Sequence, residues 1–306
     1  MAAGEWDQIR AIREAVAADS RVRIGIGDDT AVLNPVAGEL LVTVDMLLEG
    51  VHFDFSNCTP TEVGGKAMRV NLSDIAAMAG QPLAAVVAVG IPRAAPRDLP
   101  MELFRGLKQA ADEFDVALIG GDTNQSTSGL VVSVTLLGTT TRHGPLLRSG
   151  ARPGDMICVT GKLGYSLSSR RHLLFTPRVR EAQMLHARYE LNAMMDISDG
   201  LASDLFHITD ESGCGAVIEA EQLPIHEAAQ DARSPLDHAL NDGEDFELLF
   251  TLGAKEAARL LSDQPLAERG VFVTRIGEIT TDQRVMLRGA NSFQELPRGG
   301  FQHQWS

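Results

Sequence analysis

The chain has 306 residues, a formal net charge of −14 and a pI near 5.0. Hydrophobic residues make up 44% and charged residues 22%, the balance of a soluble globular protein long enough for two cores, and the acidity disfavours nucleic acid as a partner. No apolar run reaches the ~18 residues of a membrane span, and MAAGEWDQIR lacks the basic and apolar regions of a signal peptide, so a cytoplasmic protein with no membrane partner is expected.

Residues 5–18 read as a helix, with Ile9, Ile12 and Val16 at helical spacing. A glycine-rich turn follows at 25–28, then a short strand at 40–45 (LLVTVD). Residues 61–79, rich in Ala and Met and closed by Gly80 and Pro82, read as a long helix. A strand at 84–91, a helix at 96–114, and strands at 116–121 and 130–139 come next. RSGARPGD (148–155) is a polar turn cluster and marks a boundary. The expected domains are 1–147 and 148–306, the second an α/β domain.

The second half reads as a strand at 155–160, a loop, a basic stretch from Arg170 to Arg180 and a helix at 178–190. The DISDG turn, a helix at 201–212, strands at 215–219 and 247–251, a helix at 254–262 and a strand at 271–279 complete it. Strands and helices mix throughout, which gives an α/β or α+β class. The three cysteines, Cys58, Cys158 and Cys214, show no C-x-x-C spacing; neither a zinc knuckle nor a disulfide framework is indicated.

Aspartates recur in short glycine- or serine-rich phrases: GIGDD (25–29), TVD (43–45), NLSD (71–74), GGDT (120–123) and DISDG (196–200). Any one could be a turn or a helix cap. Together they read as one convergent set of hard oxygen ligands. Such ligands suit magnesium, and magnesium commonly accompanies a phosphorylated substrate. No G-x-x-x-x-G-K-[ST] loop is present, so metal bridges rather than a Walker lysine would hold nucleotide phosphates. In VALIGGDT an apolar strand delivers Gly120, Gly121, Asp122 and Thr123, and glycine amides there can donate to phosphate. In MMDISDGLASDL one N-cap needs one side chain, and the surplus carboxylate of Asp196 beside Asp199 favours metal. His52 in EGVHF, and Asp242, Glu244 and Asp245 in NDGEDFELLF, are further candidates; a structural histidine and a solvated turn are the alternatives.

In this order, GIGDDTAV, TVDMLLEGVHF, GGKAMRVNLSDIAAMAGQP, LIGGDT, LLRSGARPGD, DISDGLASDL and GEDFELLFT resemble the thiamine-monophosphate kinases. Their superfamily also holds aminoimidazole ribonucleotide synthetase and selenophosphate synthetase. The resemblance runs from about residue 4, where GEWDQI echoes the family's opening, to the C-terminus. It implies a two-domain synthetase-like fold, with N-terminal sheets paired across a homodimer and a C-terminal α/β sandwich. It also implies direct, ATP-dependent phosphorylation of thiamine monophosphate to thiamine diphosphate with several Mg²⁺ ions.

Matched motif to motif, Asp29, Thr43, Asp45, Asp74, Asp122 and Asp196 resemble metal ligands, and Asp199 resembles the ligand of a further metal. Asp45 and Asp122 are the implied catalytic pair. Gly121, Asp122, Arg148 and Ser198 resemble ATP contacts, and His52, Glu244 and Phe301 resemble substrate contacts.

The sequence departs from the family's pattern in places. Val44 stands where Thr or Ser is common, and Asp242 replaces the first glycine of GGED, adding charge near the substrate. Arg105 stands in the helix region where the family offers a tyrosine to the nucleotide. At 161–177 the family's GxxGDSxAGL phrase and longer insert are compressed to GKLGYSLSSRRHLLFTP, with Tyr165 for aspartate. This shortening bears on substrate identity more than on fold. Two other readings stand beside the kinase. One is another ATP-using synthetase of the superfamily, although selenophosphate synthetase wants a cysteine near the N-terminus and the first here is Cys58. The other is a non-catalytic nucleotide-binding maturation partner.

Overall fold

The computed structural model describes residues 11–26, 30–227 and 233–301. It divides into two compact units, Met1–Ile75 with Gln81–Arg142, and Ala76–Gly80 with His143–Ser306.

The first unit is built on a four-stranded sheet. Its strands are β3 (Leu40–Leu48), β4 (Gln81–Pro92), β5 (Ala117–Ser126) and β6 (Val131–Thr139), in the order β3-β6-β4-β5. A short ribbon of β1 (Val22–Ile24) and β2 (Val32–Leu33) forms its own two-stranded sheet and packs Val22 and Leu33 against Leu83, Ala84, Ala117 and Ile119. β4 and β5 are parallel, and parallel neighbours need a crossover. That crossover is α2 (Leu99–Glu113), which starts with proline in its first turn and buries Leu99, Leu103, Leu107, Ala110 and Ala111 along one stripe. α1 (Pro60–Ala77) lies earlier in the chain and buries Val63, Ala67, Met68, Leu72, Ile75 and even Lys66, whose Nζ donates to the His52 carbonyl at 2.7 Å. The two helices meet backbone to backbone at Gly64 and Gly106.

The edge strand β3 alternates strictly. Thr43, Asp45 and Leu47 are at least half-buried, while Leu40, Val42, Val44 and Met46 are each more than half exposed.

The second unit carries a seven-stranded sheet. Its strands are β7 (Asp155–Thr160), β8 (Leu191–Asp196), β9 (Gly215–Glu219), β10 (Leu248–Gly253), β11 (Val273–Thr280), β12 (Val285–Gly289) and β13 (Ser292–Glu295). The order is β13-β12-β9-β11-β7-β10-β8, antiparallel except for the β9–β12 pair. Its helices are α3 (Arg171–Leu174), α4 (Val179–Arg188), α5 (Leu201–Ser212), α6 (Pro235–Asn241) and α7 (Ala254–Asp263). α5 buries Leu201, Ala202, Leu205 and Ile208 against the sheet residues Ile157, Val159, Met195 and Leu249. It ends at Gly213, whose φ of +64° forms a left-handed cap.

The mixed α/β class and most elements agree with the sequence reading. The helix expected at 5–18 is described only from residue 11, and residues 11–15 are helical. Strand β8 was not expected: LNAMMD carries helix-forming residues, but pairing with β10 overrides that propensity. The β12–β13 hairpin and α6 were also not expected, although Ser234 caps α6 by accepting the Asp237 amide at 3.1 Å and Pro235 opens it.

Candidate functional site

In the first unit, alternation sets Thr43 and Asp45 on the face of β3 that meets α1. Asn71 and Asp74 lie one turn apart on that helix and face them. Thr43 donates its hydroxyl proton to the Asp74 carboxylate, and the Asp45 amide donates to Asn71 Oδ1 at 3.1 Å. Three of the sequence-predicted metal ligands are thus brought together. Asp29 lies outside the described residues.

Asp122 is separate. β3 and β5 are the two edges of the sheet, so Asp45 and Asp122 stand three strand spacings apart, roughly 14 Å along the sheet. One ion cannot be shared by both within this sheet. Val44 faces outward, away from Asp45 and Thr43.

Gly120, Gly121, Asp122 and Thr123 form one wall of an apolar cleft lined also by Ile12, Ile26, Val87, Phe104 and Leu107. A Cβ at Gly121 would lie 2.1 Å from the Val87 carbonyl, so sheet packing requires glycine here whatever binds beside it. The aromatic in this cleft is Phe104. Arg105, the next residue along the helix, is exposed and absent from the lining. No nucleotide contact was assigned to Arg105 from sequence, and the neighbouring residue that lines the cleft lies about 100° around the helix.

His52 sits in the turn after β3. Its Nδ1 accepts the Leu48 amide at 3.0 Å, and its carbonyl is held by the buried Lys66.

In the second unit the predicted residues converge. β8 ends at the buried Asp196, and the DISDG turn follows. The turn is organised by a residue that sequence reasoning passed over. One oxygen of Asp204, Oδ2, accepts the amides of Ser198, Asp199 and Gly200 at 3.0, 3.1 and 3.1 Å. The other, Oδ1, is buried without a hydrogen-bond partner. Burial, and then the charges of Asp196 and Asp199, push the Asp204 carboxyl up to about 8.

His207 lies one turn further along α5. It offers, with Asp199 and Asp204, potential ligand atoms all within 4.8 Å of one another. Its pKa is lowered, first by burial and then by the positive charges of Arg148 and Arg298. The signal in the sequence was the spacing of Asp204 and His207, on one helical face behind DISDG.

The acidic 242–247 loop is tied to that turn. The Glu244 amide donates to the Ser198 carbonyl at 2.7 Å and the Phe246 amide to the Ile197 carbonyl at 2.8 Å. Both donors take left-handed backbone, with φ of +52° and +51°. The Phe301 amide donates to the Asp199 carbonyl at 2.9 Å, leaving the ring about half exposed.

Asp242 does not add charge near the substrate. Its side chain is 5% exposed, bound by Arg233 and by His238 Nδ1 at 2.8 Å, and it accepts the Tyr165 amide at 2.7 Å. Tyr165, which replaces the family's aspartate, stacks on His238 with ring centroids 3.9 Å apart. The shortened 161–177 segment is thus a strap bonded to the acidic loop.

The match to known proteins follows this arrangement. The class is that of the AIR synthase related proteins: residues 27–140 match the N-terminal domain of that description and residues 152–289 the C-terminal domain. Within it, the chain belongs to the thiamine-monophosphate kinase family. It is 39% identical over 298 residues, 92% of each chain, to thiamine-monophosphate kinase of Rhodopirellula baltica. The crystal structure of the Stenotrophomonas maltophilia thiamine-monophosphate kinase is similar with a TM-score of 0.80, at 35% identity over 94% of this chain and 96% of that one. The structure of AaThiL complexed with AMPPCP and TMP is similar with a TM-score of 0.73, at 30% identity over 96% of each.

Proposed function

We propose that this protein is a thiamine-phosphate kinase, transferring the γ-phosphoryl group of ATP directly to thiamine monophosphate to give thiamine diphosphate. The observation that carries the reading is the backbone knot of the second unit. There the acidic residue Glu244 and the C-terminal aromatic Phe301 each donate a backbone hydrogen bond to the carboxylate turn at 196–200. Family membership, and a relative complexed with AMPPCP and TMP, support the same chemistry.

The donor set fits magnesium. It consists of hard oxygens, and the buried Asp204 Oδ1 beside two more carboxylates has no protein hydrogen to meet it. Thr43, Asp45, Asp74 and Asp122 would hold ions in the first unit, and Asp196 and Asp199 in the second, with Asp29 completing the set. Bound there, the ions would supply positive charge to offset the charge that develops on the phosphoryl group.

The chain's own residues position the reactants. The adenine ring enters the cleft against Phe104, beside Gly121 and Asp122. Arg148 and Ser198 contact the nucleotide. Glu244 faces the cationic thiazolium, Phe301 offers the face of its ring to the substrate, and His52 completes the substrate contacts. The cytoplasm is the proposed location, in keeping with three buried cysteines that form no disulfide and with no described helix long and apolar enough to cross a membrane. A homodimer joined through the outward face of β3 is proposed from its exposed apolar stripe.

Measuring ATP turnover with and without thiamine monophosphate tests the reading. Turnover should depend on thiamine monophosphate and yield thiamine diphosphate. ATP consumption indifferent to thiamine monophosphate, or none at all with Mg²⁺ present, would return the protein to the synthetase or the binding-partner reading.

A further inference from the structure

The four acidic side chains of the 242–247 loop are not held alike. Asp242 meets Arg233 and His238, Asp245 meets Arg171 at 2.5 Å and Glu247 meets Arg178 at 2.5 Å. Their side chains are 5%, 1% and 6% exposed. Each has its own guanidinium, so these charges are neutralised inside the protein.

Glu244 is more exposed than these three, and one of its contacts is of a different kind. Its side chain is 21% exposed, and one partner is an imidazole, with His172 Nδ1 2.9 Å from Oε2. The left-handed backbone at Glu244, anchored to the Ser198 carbonyl, fixes where the side chain starts. The contact with His172 fixes where the carboxylate ends.

His172 is itself braced. Its amide donates to the Ser166 carbonyl at 3.2 Å, and the Ser166 hydroxyl donates to the Gly243 carbonyl at 2.5 Å. On either side of it in sequence, Arg171 and Arg178 bind the same acidic loop, and Phe175 stacks on Phe246 with centroids 4.0 Å apart. The strap therefore holds the loop at several points, and one of them touches the carboxylate that faces outward.

We propose that His172 is a positioning residue for substrate recognition: through Nδ1 it holds the Glu244 carboxylate in the orientation that receives the cationic ring of the acceptor. This rests on the substrate role proposed for Glu244. The compressed strap then sets specificity by pre-orienting one charge, which spares that charge an ordering cost when substrate binds.

Steady-state kinetics on the full chain, with thermal melts of each variant, test it. His172→Ala should raise KM for thiamine monophosphate about tenfold, the scale of losing one charge-assisted hydrogen bond. KM for ATP should stay within twofold. His172→Asn, whose amide nitrogen falls near the place of Nδ1, should recover most of the loss. If the alanine variant does not fold, His172→Leu keeps the volume and must show the same split. An unchanged KM for thiamine monophosphate overturns the proposal. So does an equal rise in both KM values that asparagine does not rescue, which would mean a merely structural role. Glu244→Gln is measured alongside. If it too leaves KM for thiamine monophosphate unchanged, the role of Glu244 has failed; if it raises that KM and His172→Ala does not, only the positioning role has failed.

Discussion

At the scale of single residues, the carboxylates do different work according to what faces them. Asp122 is exposed in the middle of β5 and lines the cleft that holds Phe104. Removing its charge removes compensation at the transferring phosphoryl group without disturbing a core. Asp122→Asn should therefore lower turnover by about two orders of magnitude, the cost of one preorganised electrostatic group, while the melting temperature stays near that of the parent. Near-normal turnover at saturating Mg²⁺ would remove Asp122 from the catalytic set. The sequence made such residues legible because Asp beside Gly after an apolar run is a local pattern, although the strands expected to end at Asp45 and just before Asp122 continue to Leu48 and Ser126. It could not reveal Asp204, whose use of one oxygen for three amides depends on how the turn folds back over α5. Nor could it reveal that His172 meets Glu244, 72 positions away. Asp242 was misjudged for the same reason: its charge is cancelled by Arg233 and His238, which the chain brings to it only through α6.

At the scale of elements, two features govern stability. α1 and α2 cross so closely that a Cβ on Gly106 would lie 1.9 Å from the Thr61 carbonyl oxygen and 2.8 Å from the Gly65 nitrogen. Both are backbone atoms of a helix and cannot step aside. Gly106→Ala should destabilise the protein by about 3 kcal/mol, at the upper end of overpacking costs. Gly253→Ala, where a Cβ would meet nothing within 4 Å, should stay within about 0.5 kcal/mol. Denaturant titration of the two variants separates them, and equal midpoints would refute the close crossing.

The strap and the acidic loop carry a pH signature. Burial first, aided by the charges of Glu247 and Asp242, pushes the Asp245 carboxyl up to about 7 against the pull of the Gly164 amide and Arg171. A carboxyl raised above its unfolded value near 3.9 binds more protons folded than unfolded between those two values. Its contribution is fully present below about pH 4 and is lost as the pH rises through about 7. The melting-temperature advantage of the parent over Asp245→Asn should therefore shrink between pH 5 and pH 8. An advantage that stays constant over that interval would mean that Arg171 holds the carboxylate ionised throughout, since neither the folded nor the unfolded carboxyl would then titrate there. Elements with strong local periodicity, such as α2 and β6, were legible in sequence. β8 and the β12–β13 hairpin were not, since long-range pairing decides them.

At the scale of the whole molecule, the first unit leaves something uncovered. Leu40, Val42, Val44 and Met46 point outward from β3, more than half exposed, and the register continues their rows through Thr135 and Ser133 to Val86 and Ala88. β3 is also an edge strand, nine residues long. A long apolar edge is an aggregation site unless something covers it. The proposed cover is the same face of a second chain, which a twofold axis makes self-complementary. Sequence reading reached the dimer only by resemblance, yet the alternation LLVTVDM was already informative: a strand that is apolar on both faces, save for Thr43 and Asp45, has two surfaces to bury. With −14 charges on each chain, the association must draw on apolar burial rather than on charge attraction. Val44→Lys puts an ammonium at the middle of the stripe, on the face of β3 opposite Thr43 and Asp45. It should convert a dimer into a monomer in sedimentation velocity at micromolar concentration, and the melting temperature should change little if the fold of each unit is self-sufficient. A parent chain that sediments as a monomer, or a Val44→Lys variant that remains a dimer, would show that this face is not the one that joins two copies.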